Sequence, residues 1–139
     1  MAAARDVMHK GATCVGAYEP LRTAAELMRT LDVGALPICG DGDRLIGIVT
    51  DRDIVVRCLA IGRDASTMTA GELARGVPRT IEAGASIDEA LDIMERHQIR
   101  RLPVLEDGRL VGMISEADIS RHLSDDKIAR FVEAICAPV

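Results

Sequence analysis

Two stretches of the chain carry the same polar groups in the same order. "GIVTDRDI" (47–54) and "GMISEADI" (112–119) each place a hydroxyl three residues before an aspartate, as Thr50 with Asp53 and Ser115 with Asp118. That spacing suits the first turn of a helix. The hydroxyl accepts from the N–H three residues on, and the carboxylate bonds back to the N–H of the capping residue. Capping stabilises a helix by about 1 kcal/mol and accounts for the spacing. It does not account for aspartate in both copies, since the longer Glu or Gln reaches back better. The same geometry supports a second chemistry. Free N–H groups at a helix start favour a phosphate, and the hydroxyl can donate to a phosphate or sugar oxygen. A short carboxylate one turn on can accept from both vicinal hydroxyls of a ribose. Charge-assisted bonds of this kind contribute roughly 1.5–3 kcal/mol each. Micromolar affinity needs about 8 kcal/mol, so an apolar slot for a base must supply the rest. The aliphatic strands beside the turn can provide one.

The elements that position these groups are themselves written twice. Residues 13–38 align with 79–104, and 44–54 with 109–119, with a slip of one residue between "GDGDR" and "EDGR". Ten of these 37 pairs are identical, among them Met28/Met94, Leu36/Leu102, Pro37/Pro103, Gly47/Gly112 and Asp53/Asp118, which points to a tandem duplication around a pseudo-twofold axis. Each copy starts with a short strand ("TCV", "RTI"). An amphipathic helix follows, with Leu21, Ala24, Ala25, Met28 and Leu31 on its apolar stripe in the first copy and Ile87, Ala90, Leu91 and Met94 in the second. Ser86 with Glu89 reads as a capping box, and Pro20 suits a first turn. Next come a strand ending "ALPIC" or "RLPVL", an Asp-Gly turn, the strand "RLIGIV" or "RLVGMI", and a helix beginning at Thr50 or Ser115. Pro37 and Pro103 cannot donate to a ladder, so that strand is an edge or is bulged there. The unit is β-α-β-β-α. "ARDVM" (4–8) and "TAGELAR" (69–75) read as lead-in helices, and "DKIARFVEAIC" (126–136) as a terminal helix with Ile128, Phe131, Val132 and Ile135 on one face. The boundaries that follow are 1–66 for the first repeat with its lead-in, 67–125 for the second with its own, and 126–139 for the helix and tail.

Composition narrows the functions. With 139 residues, 48 % hydrophobic and 28 % charged, the chain can bury a core. That core is aliphatic, because Tyr18 and Phe131 are the only aromatics. So few rings, with a net charge of −5, argue against nucleic-acid binding. No stretch is apolar for long enough to span a bilayer, and "MAAARDVMHKG" lacks the apolar run of a secretory signal, so a cytoplasmic location is expected. The four cysteines have no CxxC spacing, which excludes a zinc ribbon or a thioredoxin-type motif. No nucleophile–base–orienter set is present, so no enzyme is expected.

The duplication with Gly-h-h-[Thr/Ser]-x-x-Asp resembles a tandem pair of CBS domains, the Bateman module. "VGALPICGDGDRLIGIVTDRDI" and "RRLPVLEDGRLVGMISEADI" carry the resemblance, which runs from Val7 to about Ser124. It implies an α+β fold with small sheets packed by helices, and two clefts between the repeats that take adenosyl ligands such as AMP, ADP, ATP or S-adenosylmethionine. It assigns ribose contact to Asp53 and Asp118, hydroxyl contact to Thr50 and Ser115, and a homodimer built on exposed helix faces. Basic residues before the Leu-Pro help neutralise phosphate in many relatives. The second copy has Arg100 and Arg101 there, the first Gly34 and Ala35. A phosphorylated ligand is therefore expected in the cleft the arginines face, and an uncharged adenosyl group or nothing in the other.

His97 replaces Leu31 on the helical stripe and is expected to face something other than bulk water. His122 lies one turn after Asp118. If a dimer packs through these helices, the two histidines meet their symmetry mates and can bind zinc, which needs three or four ligands. A disulfide between Cys14, on the first strand, and Cys39, at the end of the second, is feasible if those strands are neighbours, but the expectation for a cytosolic chain is two buried thiols. Cys58 and Cys136 read as helix core. The expectation is a non-enzymatic dimeric sensor of an adenosyl ligand that signals to a separate protein partner. Its rival is a ligand-independent interaction or stress protein, stabilised by zinc through His97 and His122.

Overall fold

In the computed structural model, residues 2–11 and 13–138 are described. The elements run α1 (Ala4–Val7), β1 (His9–Lys10), β2 (Val15–Gly16), α2 (Leu21–Leu31), β3 (Ala35–Cys39), β4 (Leu45–Thr50) and α3 (Asp51–Ile54), which continues through a π-helical turn at Val55–Leu59. Then come β5 (Ile81–Glu82), α4 (Ile87–His97), β6 (Arg101–Glu106), β7 (Arg109–Ser115), α5 (Glu116–His122) and α6 (Asp125–Cys136). Single 3-10 turns at Asp41–Asp43 and Ala70–Leu73 complete the set. The mixed α+β class and the β-α-β-β-α order are as expected in both copies.

The chain forms two compact units, Thr13–Pro78 and Met1–Ala12 with Arg79–Val139. The lead-ins are thus exchanged: the segment before the first copy packs with the second, and the segment after the first copy packs back onto it. In one unit the strand order is β2-β3-β4, parallel then antiparallel. In the other it is β1-β7-β6-β5, where β1 is the lead-in strand, added antiparallel to β7.

Both prolines lie on central strands, not edges. β2 pairs only with Ile38 and Cys39, and β5 only with Val104 and Leu105, so no partner needs the N–H that Pro37 and Pro103 lack. The bulge falls one position later, between Ile38 and Cys39 and between Val104 and Leu105. Asp107 and Gly108 both have positive φ, 51° and 76°, as a tight two-residue hairpin requires. The first copy has an extra residue and makes a 3-10 turn instead.

Each unit has its own aliphatic core, with Val15, Leu21, Leu36, Ile38, Val49 and Leu73 in one and Ile87, Met94, Leu102, Val104, Ile114 and Phe131 in the other. Some stripe positions differ from expectation. Ala25 and Leu31 are exposed on α2, and Val132 is exposed on α6. Pro20 is the N-cap of α2 and not its first residue. Ser86 accepts from the Glu89 N–H at 3.1 Å, but no reciprocal bond from Glu89 closes the box. The backbone around Ser86 is occupied instead by the lead-in, with Ile87 N–H donating to the Ala2 carbonyl and Ala4 N–H to that of Ala85. Cys58 is buried as expected, whereas Cys136 is exposed at the end of α6.

Candidate functional site: two unequal acids

Thr50 and Ser115 are the N-caps of α3 and α5, each with the reciprocal bonds of a capping box. The helix starts because the strand ends in a β-region hydroxyl residue whose oxygen takes an N–H that would otherwise have no partner. The glycine opening each motif permits a close approach of the lead-in. A Cβ at Gly47 would sit 2.8 Å from the Cβ of Ala74, and one at Gly112 would sit 2.7 Å from the carbonyl oxygen of His9.

In the first copy the polar set is half used. Asp53 Oδ2 accepts from the Thr50 N–H at 3.0 Å, and Thr50 Oγ1 accepts from the Asp53 N–H at 3.0 Å. Among the described residues Asp53 Oδ1 meets no donor and the Thr50 hydroxyl donates to nothing. Asp53 is partly exposed. An oxygen with free lone pairs beside a free hydroxyl can bind a sugar diol.

In the second copy both carboxylate oxygens are engaged. Asp118 Oδ2 accepts from the Ser115 N–H, the Ser115 hydroxyl and His9 Nδ1, all at 2.9 Å. Its other oxygen accepts from the Arg121 guanidinium at 2.6 Å. The side chain is 2 % exposed. Burial works against the ionised form, but the Ser115 backbone and hydroxyl bonds, with His9 behind them, outweigh it and hold the carboxyl below the ordinary aspartate value. Sequence reasoning missed His9. Arg121 was detectable at three residues from Asp118 on one helix face, but nothing in the local sequence links His9 to an acid 109 residues away.

The arginines are also unequal. Arg100 is ion-paired with Glu116 at 2.8 Å. Arg101 lies directly across the β6–β7 ladder from Ser115, so its side chain shares that face, and it forms no ion pair among the described residues. The position across from Thr50 is Ala35. The basic copy is therefore the one whose acid is closed.

His97 and His122 are exposed, each the last residue of its helix. The expectation that His97 faces a neighbour is not met within the chain. Gln98, in the left-handed conformation with φ 51°, turns the backbone away at that point. His122 Nδ1 lies 2.9 Å from the Asp118 carbonyl oxygen, to which it can only donate, leaving Nε2 free. Among the described residues no group of three or more His, Cys, Asp or Glu could hold a metal. Contrary to the expectation of two thiols, Cys14 and Cys39 are joined by a disulfide, with Cα atoms 5.7 Å apart. A groove of about 320 Å³ between α5 and α6, bordered by Ile119, Ile128, Phe131 and Val132, includes none of the expected site residues.

Comparison with known proteins agrees with this architecture. The family model for the CBS domain matches residues 4–59 and 70–125. The chain is 57 % identical over 139 residues to hypoxic response protein 1 of Mycobacterium tuberculosis, covering 100 % of this chain and 97 % of that one. A crystal structure of hypoxic response protein I with two coordinated zinc ions superposes with a TM-score of 0.79 at 57 % identity, over 88 % of this chain and 100 % of that one. CBSX2 in complex with AMP, at 24 % identity and a TM-score of 0.74, covers 87 % of this chain and 95 % of that one and shows the shared fold.

Proposed function

The chain belongs to the CBS domain family as a tandem pair of repeats, and on that premise we propose that it is a non-catalytic sensor of an adenosyl ligand. Asp53 and Thr50 take the ribose, and the protein acts in the cytoplasm as a homodimer that signals to a separate protein partner. The observation that carries this reading is the free Asp53 Oδ1 beside the free Thr50 hydroxyl. A capping role alone leaves both without a task. The position across from Thr50 is Ala35, where the second copy has Arg101 across from Ser115, which favours the adenosyl group itself over a terminal phosphate in this copy. Arg101, beside Ser115, suits a phosphate.

A thermal-shift panel of AMP, ADP, ATP and S-adenosylmethionine tests the proposal. Ligand at a hundred times its dissociation constant adds about 2.7 kcal/mol, a rise of a few degrees for a chain of this size. Asp53→Ala is expected to abolish the rise and Asp118→Ala to spare it. A flat panel for the unaltered protein sinks the proposal and leaves the ligand-independent scaffold.

One observation favours a zinc-stabilised dimer as a second reading. His122 is set as metal-binding imidazoles are, with one nitrogen donating to a carbonyl and the other free. One chain does not complete a tetrahedral site, so His97 and His122 from two copies would have to share the ion. The relative with two coordinated zinc ions supports this reading. Elemental analysis of untagged protein, repeated on His97→Ala and His122→Ala, is expected to show zinc lost with either histidine.

A further inference from the structure

We infer that His9 is a latch on the second copy of the motif, and that the two repeats differ because the lead-in strand fills the sugar position of one and not of the other. A carboxylate offers about four lone-pair sites. Asp118 meets four donors: the Ser115 N–H, the Ser115 hydroxyl, His9 Nδ1 and Arg121. Two vicinal hydroxyls arriving there find too few acceptor sites, at a group already out of solvent. Asp53 meets one donor and keeps the rest.

Of the donors on Asp118, Ser115 belongs to the capping box and is fixed by the helix start. Arg121 extends from the same helix with a 60 % exposed side chain, so it can turn into solvent and give up its site when a diol arrives. His9 alone is delivered from elsewhere in the chain. The strand β1 sets it by pairing His9 with Met113 and Lys10 with Gly112. Its ring is 47 % exposed, so it covers the acid from outside and can leave without opening the core. The corresponding lead-in of the first copy, which packs Ala74 against Gly47, forms no strand there, and Arg75 beside it is exposed. Among the described residues no side chain donates to Asp53 as His9 does to Asp118.

The latch is a pairing within one unit and can be tested with or without ligand. Its consequence for binding rests on the ribose reading above. Calorimetric titrations with AMP and with S-adenosylmethionine are expected to give one equivalent per chain, lost in Asp53→Asn and retained in Asp118→Asn. His9→Ala is expected to raise the stoichiometry to two. Two equivalents in the unaltered protein, or one in both it and His9→Ala, overturn the latch and leave the ribose reading standing. No binding by any variant overturns the ribose reading, and the pairing is then decided without ligand. In a thermal cycle of His9→Ala, Asp118→Asn and the double variant, the double is expected to melt where Asp118→Asn does. Fully additive losses overturn the latch. If Asp118→Asn does not fold, the ¹⁵N spectrum of the His9 ring in the unaltered protein decides: a proton on Nδ1 is expected, and one on Nε2 alone overturns the pairing.

Discussion

Asp53 and Asp118 occupy the same place in the repeat and do different things. Each returns one oxygen to the N–H of its own cap, at 3.0 and 2.9 Å. The difference lies in what else arrives, which at Asp118 is Ser115 Oγ, His9 and Arg121. Those bonds stabilise the ionised form, which has a consequence for acid stability. A carboxyl whose folded value is depressed contributes stability that is fully present above its unfolded value, about 3.9, and is lost as pH falls through the lower folded value. The melting temperature of the unaltered protein is therefore expected to exceed that of Asp118→Asn near neutrality. The gap is expected to close below about pH 4, as a melting series across pH would show. The cap spacing was legible at this scale. Why aspartate recurs was only half legible, because the free oxygen of Asp53 becomes visible only once its surroundings are known.

At the scale of elements, the lead-ins decide how each motif is dressed. Gly112 faces the Met8 side chain and the backbone carbonyl of His9, part of a paired strand, and Gly47 faces the Cβ and Cα of Ala74. Like Gly47→Ala, Gly112→Ala is expected to destabilise by about 1–3 kcal/mol in urea unfolding, because at both sites backbone must move to relieve the overpacking. It is also expected to displace β1 and free Asp118 from His9. The strand–helix order was readable because apolar periodicity and turn residues are local signals. Of the stripe and core positions that went astray, Ala25 and Val132 lie within their helices, while Leu31 and Cys136 lie at helix ends. There a stripe extrapolated by period outruns the neighbour it packs on.

The molecule as a whole leaves apolar side chains in water. Val55, Val56, Leu59 and Ile61, on and just beyond the π-helical turn, are exposed by 45 to 64 %. A cluster of this kind marks an interaction surface, and the homodimer proposed above would cover it. Light scattering coupled to gel filtration is expected to give twice the chain mass, and Leu59→Asp is expected to give a monomer with unchanged helical circular dichroism. A monomeric unaltered protein would remove the dimer and, with it, the shared zinc site. No helix among the described residues is long and apolar enough to cross a membrane.

The residue order by itself determined the duplication, the element order and the two capping hydroxyl–carboxylate pairs. Each of these is written in spacings of a few residues, and backbone geometry converts such spacings directly into contacts. Only the tertiary structure decided that the lead-ins are exchanged, that Cys14 and Cys39 are joined, and that His9 closes Asp118 while Asp53 stays open. Those contacts form between segments brought together by burial of each unit's own core, and no local period specifies which distant segment will supply the neighbour.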